Sequence, residues 1–213
     1  MSLAPCSTVL LVIDVQVDFV APEGACARGG ADVSGMPAAI SRIEDALGAA
    51  RACGMEVCFV RLETSPESDS PAMVRHMARR GMAGGEVLCR AGSPGADYWR
   101  VRPGPGEREV TKSRYDAFLE TGLDALLRRL GARTVVLTGV STDCCVDATA
   151  RGAFQRDYDV LVLGDACAAG TRDFHEAALE ALSRYAATIS DTASFIAACS
   201  AAVRGRETAG ECS

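Results

Sequence analysis

A chain of 213 residues, nearly half of them hydrophobic, is long enough to bury a full core, and one compact domain is the expected count. Its net charge of −6, with no basic run anywhere, excludes nucleic acid and anionic membrane as natural partners. The longest apolar stretch near the start, Val9 to Ile13, is far too short to span a bilayer, and no basic residue precedes it as a signal peptide requires, so a cytoplasmic protein is expected.

In chain order, Val9 to Ile13 reads as a buried strand ending at Asp14, with VQVDF following. Pro37 to Cys53 carries Ile40, Ile43, Leu47 and Ala50 on one helical face and stops at Gly54. Val57 to Val60 is a second strand, so the first three elements form a parallel βαβ unit with a right-handed crossover. Leu62 to Arg108 is rich in proline and glycine and holds the only tryptophan, Trp99. Apart from a short helix over Met73 to Arg80, it reads as long surface loops, the usual material of lids and binding walls.

Val110 to Lys112 is a short strand, and Leu119, Leu123, Leu126, Leu127 and Leu130 define an amphipathic helix closed by Gly131, with Arg128 and Arg129 in its last turn. Val135 to Leu137 is a strand ended by Gly139, and a helix begins near Cys144 or Cys145, carrying Val146, Ala150, Ala153 and Phe154 at helical spacing. Val160 to Leu163 is a strand ending at Gly164-Asp165, His175 to Tyr185 a helix, Ala187 to Ile189 a last short strand, and Thr192 to Val203 a closing helix before a frayed tail, Arg204 to Ser213. The alternation predicts an α/β fold: a doubly wound, mostly parallel sheet of five or six strands with helices on both faces, in one domain with a loop-rich insert at 62–108. Such sheets bind ligands beyond the carboxyl ends of the strands, where the order reverses. Those ends carry Asp14, Lys112 and the Cys144-Cys145 pair.

Ten cysteines at irregular spacing, with no CxxC pair, read as mostly reduced core residues in a chain this rich in aliphatic side chains. The two histidines, His76 and His175, are far apart, so no zinc-ligand cluster is visible, and neither metal nor cofactor is expected.

Chemistry concentrates in TVVLTGVSTDCCVDATAR, residues 134–151: strand, tight turn and helix start, with two cysteines at the opening. Backbone N–H groups there lack intrahelical partners, and the helix dipole favours an anion, so a thiol is pushed toward thiolate and the same amides can hold an oxyanion. Position alone leaves each thiol open as nucleophile or as a small buried hydrophobe. Asp14 ends an all-aliphatic strand, where it is either a turn residue or a partly desolvated carboxylate whose raised pKa suits proton transfer. Lys112 is the single lysine against 21 arginines, either by chance or because a compact ammonium does what guanidinium cannot.

The stretches IDVQVDF (13–19), VTKSRYDAF (110–118) and TGVSTDCCVDATARGA (138–153) resemble the isochorismatase-like cysteine hydrolases, and GSPGAD (92–97), PGPGE (103–107) and YDVLVLGDACAA (158–169) fit the same pattern. The resemblance implies an Asp-Lys-Cys triad of Asp14, Lys112 and Cys145, the nucleophile being the cysteine directly before the valine of the CV pair. Cys144 stands where the family has a small aliphatic residue, which raises a second reactive thiol. A cis peptide is implied at Val140-Ser141, aiming the Ser141 N–H, with that of Cys145, at the oxyanion. Gln16, Phe19, Trp99, Tyr115 and Phe118 are candidate pocket walls, by motif adjacency or by lying in the insert. Arg151 is expected in a structural ion pair, and Arg90, Arg100 and Arg102 are candidates to hold a substrate carboxylate.

The function implied is a cysteine amidohydrolase that cleaves a small ureido or carbamoyl amide through an acyl-thioester, as a homodimer or homotetramer. A nicotinamidase of the same fold places metal-binding histidines after the first aspartate, and none occurs here before His76. Isochorismatase itself hydrolyses a vinyl ether without a cysteine nucleophile. From a different class, a thiol redox or binding protein could use Cys144-Cys145, but adjacent cysteines make a strained disulfide.

Overall fold

Six strands, all parallel, make one sheet in the order β3-β2-β1-β4-β5-β6. The computed structural model describes residues 3–82, 84 and 87–210, the side chains of 206–210 excepted. In chain order the elements are β1 (Thr8–Ile13), two single-turn helices α1 (Val17–Val20) and α2 (Ala25–Arg28), α3 (Met36–Ala52), β2 (Glu56–Leu62), α4 (Pro71–Arg79) and β3 (Arg108–Lys112). Then follow α5 (Leu123–Arg129), β4 (Thr134–Val140), a wide π-helical turn over Thr142–Val146 running into α6 (Asp147–Phe154), β5 (Asp159–Ala168), α7 (Arg172–Tyr185), β6 (Thr188–Ser190) and α8 (Thr192–Gly210). The order reverses between β1 and β4, whose chains leave in opposite directions.

The strands read as continuous apolar runs because both faces are covered. Leu10, Val12, Val57, Phe59, Val136 and Leu161 point to one side, where α3 contributes Ile40, Ile43 and Leu47 and α8 contributes Phe195 and Cys199. Val9, Leu11, Ile13, Cys58, Val60, Val135, Leu137 and Val162 point to the other, against Leu123 and Leu127 of α5, Ala150 and Ala153 of α6 and Leu182 of α7.

Four element boundaries differ from the sequence reading. Leu119 lies outside α5 and is exposed: Glu120 takes φ 56°, and Thr121 Oγ1 accepts from the Leu123 amide, so the helix starts at Leu123. β5 does not stop at Gly164-Asp165 but bulges there, so that Val162 pairs with Leu137 and Cys167 with Gly139. Helix α7 begins at Arg172, since Thr171 Oγ1 caps it by accepting from the Phe174 amide. The tail expected to fray from Arg204 continues α8 to Gly210; residues 211–213 lie outside the described residues.

The insert is tied to the sheet by two buried polar side chains. Gln16 Nε2 donates to the carbonyls of Leu62 (2.8 Å) and Ala96 (2.9 Å), and its Oε1 accepts from the Leu62 amide. The Asp18 carboxylate accepts from the amides of Ala25 and Cys89, and Gly95 leaves room for it: a Cβ there would lie 2.2 Å from Asp18 Oδ2.

Candidate active site

The site forms at the carboxyl ends of β1, β3 and β4. Asp14 follows β1 with a left-handed φ of 54°, its amide donating to the Val60 carbonyl, which turns the carboxylate across the end of β2. Lys112 is the last residue of β3, in register with Leu62 of β2, and reaches over that strand toward β1. On the other side Gly139, at φ 121°, lets β4 pass close to β1: a Cβ there would lie 2.0 Å from the Ile13 carbonyl oxygen. The next peptide, Val140–Ser141, is cis, and the π-helical turn carries Cys144 and Cys145 directly after it.

Lys112 Nζ makes three contacts: 2.7 Å to Asp14 Oδ2, 3.3 Å to Cys145 Sγ and 3.0 Å to the Arg114 carbonyl. An ammonium has three donors, and all three are used. The side chains of Asp14 and Lys112 are wholly buried, and among the described residues the Asp14 carboxylate has no donor besides this ammonium. Burial works against the charge on Lys112, but the Asp14 anion and the Cys145 sulfur more than offset it and hold the ammonium above its usual range.

The two thiols are coupled. The hydrogen bond with Cys144, burial and the anion of Asp14 hold Cys145 well above an ordinary thiol, with Lys112 pulling the other way. Cys144 is lowered, first by its hydrogen bond with Cys145. A helix-start thiolate was expected at rest; the dry, anion-flanked position of Cys145 keeps it a thiol instead, so its reaction needs a base.

The turn is braced from several elements. The amides of Cys144 and Val146 both donate to the Ser141 carbonyl. Buried Thr142 pairs its hydroxyl with His175 Nδ1 of α7 at 2.8 Å. Thr149 Oγ1 accepts from the Ala117 amide, and Gly152 leaves space for the Asp116 carboxylate, docking the KSRYDAF loop onto α6. Arg151 pairs with Asp147 one turn back through two hydrogen bonds of 2.8 and 3.0 Å, the structural ion pair expected of it.

Above Cys145 opens a cavity of about 190 Å³ with a mostly apolar lining. Phe19 and Tyr115 line it as expected, together with Cys144, Cys145 and Ser141. Gln16, Trp99 and Phe118 do not. Gln16 is consumed in bracing β2 and the insert; Trp99 packs on the α3 side of the sheet with Arg100 over its ring; Phe118 stacks on Tyr158 at 6.0 Å with Arg156 against it. The insert does supply a wall, but through Thr64, Met73, Met77 and Leu88. Met73 and Met77, one turn apart on α4, were the visible signal for it. Arg90, Arg100 and Arg102 are not among the lining residues: Arg90 binds Asp69 and Arg100 binds Glu44, each through two hydrogen bonds. Arg114, which the sequence reading passed over, lines the cavity instead.

Nine cysteines are described and all are free. Burial pushes the thiols of Cys58 and Cys167 up to about 12, as suits packing residues. Among the described residues no three His, Cys, Asp or Glu side chains converge as a metal-ligand set.

Comparison with known proteins agrees with this arrangement. The isochorismatase domain family model matches residues 8–194. Over 206 residues the chain is 35% identical to the ureidoacrylate amidohydrolase RutB of Methylobacterium radiotolerans, covering 91% of this chain and 80% of that protein. A cysteine hydrolase from Pseudomonas syringae pv. phaseolicola shares the fold with a TM-score of 0.82 at 24% identity, covering 95% of this chain and 96% of that one. The N-carbamoylsarcosine amidase of Thermoplasma acidophilum superposes with a TM-score of 0.70 at 25% identity, covering 87% and 96%.

Proposed function

The chain belongs to the isochorismatase family and is an amidohydrolase of non-peptide C–N bonds, and from that premise we propose that it cleaves a small ureido or carbamoyl compound with Asp14, Lys112 and Cys145 as its catalytic groups. The observation that carries this reading is the single ammonium joining the buried carboxylate to the buried thiol at the floor of the cavity.

Asp14 takes the thiol proton as Cys145 sulfur attacks the carbamoyl carbon. A base is required because Cys145 rests as a thiol, and Asp14 is available because it has no competing donor besides Lys112. The developing oxyanion is held by the backbone N–H groups of Ser141 and Cys145. Lys112 keeps its charge throughout and stabilises first the carboxylate, then the thiolate. Asp14 returns the proton to the leaving nitrogen, the C–N bond breaks, and amine or ammonia departs from a thioester on Cys145. Water, deprotonated by Asp14, adds to the thioester carbon; the C–S bond breaks and the thiol recovers its proton.

A urea carbonyl is a poor electrophile because two nitrogens donate into it, so its hydrolysis demands a strong nucleophile and firm oxyanion binding, which this arrangement would supply. In keeping with the family resemblance, the enzyme is cytoplasmic, a single domain, and works as a homodimer or homotetramer. Among the described residues no helix is long and apolar enough to cross a membrane.

The test is ammonia release from a panel of ureidoacrylate, biuret, N-carbamoyl amino acids and nicotinamide. Cys145→Ala should abolish turnover and Cys144→Ala should largely keep it. Equal loss in both folded variants would overturn the assignment of the nucleophile. A kcat/KM for nicotinamide ten times the best ureido value would remove the substrate class and leave the cysteine amidohydrolase standing.

A further inference from the structure

We propose that Arg114 binds the non-reacting end of the substrate and that this end is a carboxylate, so that the enzyme acts on carbamoylated small acids. The inference rests on the ureido reading above and adds the recognition element it lacks.

Among the described residues lining the cavity above Cys145, Arg114 is the one charged side chain; the others are apolar, hydroxyl or thiol groups. Beneath them, the Lys112 and Asp14 charges cancel, and Lys112 has no donor left for substrate. An anion entering here therefore meets one cation with donors to offer.

The guanidinium is held in place by one nitrogen. Arg114 Nη1 donates to the Ser68 carbonyl at 2.7 Å, to the Ser113 carbonyl at 2.8 Å and to Ser113 Oγ at 3.2 Å. No described residue accepts from Nε or Nη2, which form the flat edge that matches the two oxygens of a carboxylate. The neighbouring acid that acts on Arg114, Asp69, has both of its oxygens bound by Arg90 at 2.6 and 2.7 Å. Asp116 stands with Arg114 in the outer groove and does not line the inner cavity.

The residue is also tied to the reacting centre, because its carbonyl accepts from the same Lys112 Nζ that contacts Asp14 and Cys145. The recognition group and the chemical groups are thus held at a fixed spacing. A volume of about 190 Å³ is below the pockets of drug-sized ligands, which start near about 300 Å³. A short acid with a ureido group a few bonds from its carboxylate suits that size.

The experiment compares kcat/KM for ureidoacrylate and its neutral methyl ester, read by ammonia release, in the wild-type chain and in Arg114→Gln and Arg114→Lys. The acid-to-ester ratio should exceed one in the wild type, fall at least about thirtyfold in Arg114→Gln mainly through KM, and recover in part in Arg114→Lys. An unchanged ratio in Arg114→Gln, or a wild-type preference for the ester, overturns the inference. If the wild type hydrolyses neither, the ureido reading falls, and a second arm reads the anion site alone. Propionate, but not propionamide, should slow alkylation of Cys145 by neutral iodoacetamide, and Arg114→Gln should erase the difference. Equal effects of the two compounds on the wild type overturn the site.

Discussion

At the scale of single residues, the site is decided by counting donors. Lys112 offers three N–H groups and meets three acceptors, whereas a guanidinium would bring five in a rigid plane and leave some buried without partners. The same buried setting sets the pH behaviour of the thiols. Cys145 is raised, so at neutral pH it stays protonated and its reactivity grows as pH climbs. Cys144 is lowered, so its thiolate forms earlier. Alkylation of resting enzyme by iodoacetamide, followed residue by residue by mass spectrometry, should therefore show Cys145 still accelerating past the ordinary thiol value of about 8.5. Cys144 should level off below it. A plateau for Cys145 beneath pH 8 would mean that Lys112 outweighs Asp14 and desolvation.

At the scale of elements, the critical join is where β4 leaves the sheet. Gly139 pairs with Ile13 in a left-handed conformation and touches its backbone, so no side chain fits and the φ itself is strained for any other residue. Gly139→Ala should cost several kcal/mol, enough to lower the melting temperature by ten degrees or more or to prevent folding. A thermal melt by circular dichroism checks this; a melting point within two degrees of the wild type would show that β1 and β4 can move apart freely. Strand and helix identities were legible from period and composition, because β-branched runs ended by glycine and heptad-like leucines carry their own signal. Ends were less so. Thr121 and Thr171 set helix starts through hydroxyl caps, and the bulge in β5 answers to its pairing with β4, which no local pattern encodes.

At the scale of the whole molecule, the sheet is held between two apolar layers, and the site sits at one end of it. Phe195 of α8 is 1% exposed and packs on the α3 side of the sheet, while the reactive thiol belongs to the opposite layer. Phe195→Ala should therefore cost about 3–5 kcal/mol in urea denaturation while ammonia release at 25 °C persists. A cost below about 1 kcal/mol would show that α8 contributes little to the core.

The sequence by itself determined the alternating architecture and which residues stand at the strand ends: Asp14, Lys112 and the Cys144-Cys145 pair follow apolar runs that can only be buried strands. Phe19 and Tyr115 were reachable too, since they sit inside the motifs. What tertiary structure alone decided is which of the remaining side chains face the cavity. Gln16, Trp99 and Phe118 were equally plausible walls by proximity, yet each was claimed by a partner far along the chain: Leu62 and Ala96, the α3 layer, and Tyr158. Arg90 and Arg114 are chemically identical, and the difference lies in Asp69, which takes both oxygens to one and leaves the other an open edge. A long-range contact is a property of the packed loops and not of local periodicity, so the lining of the site waits on the fold.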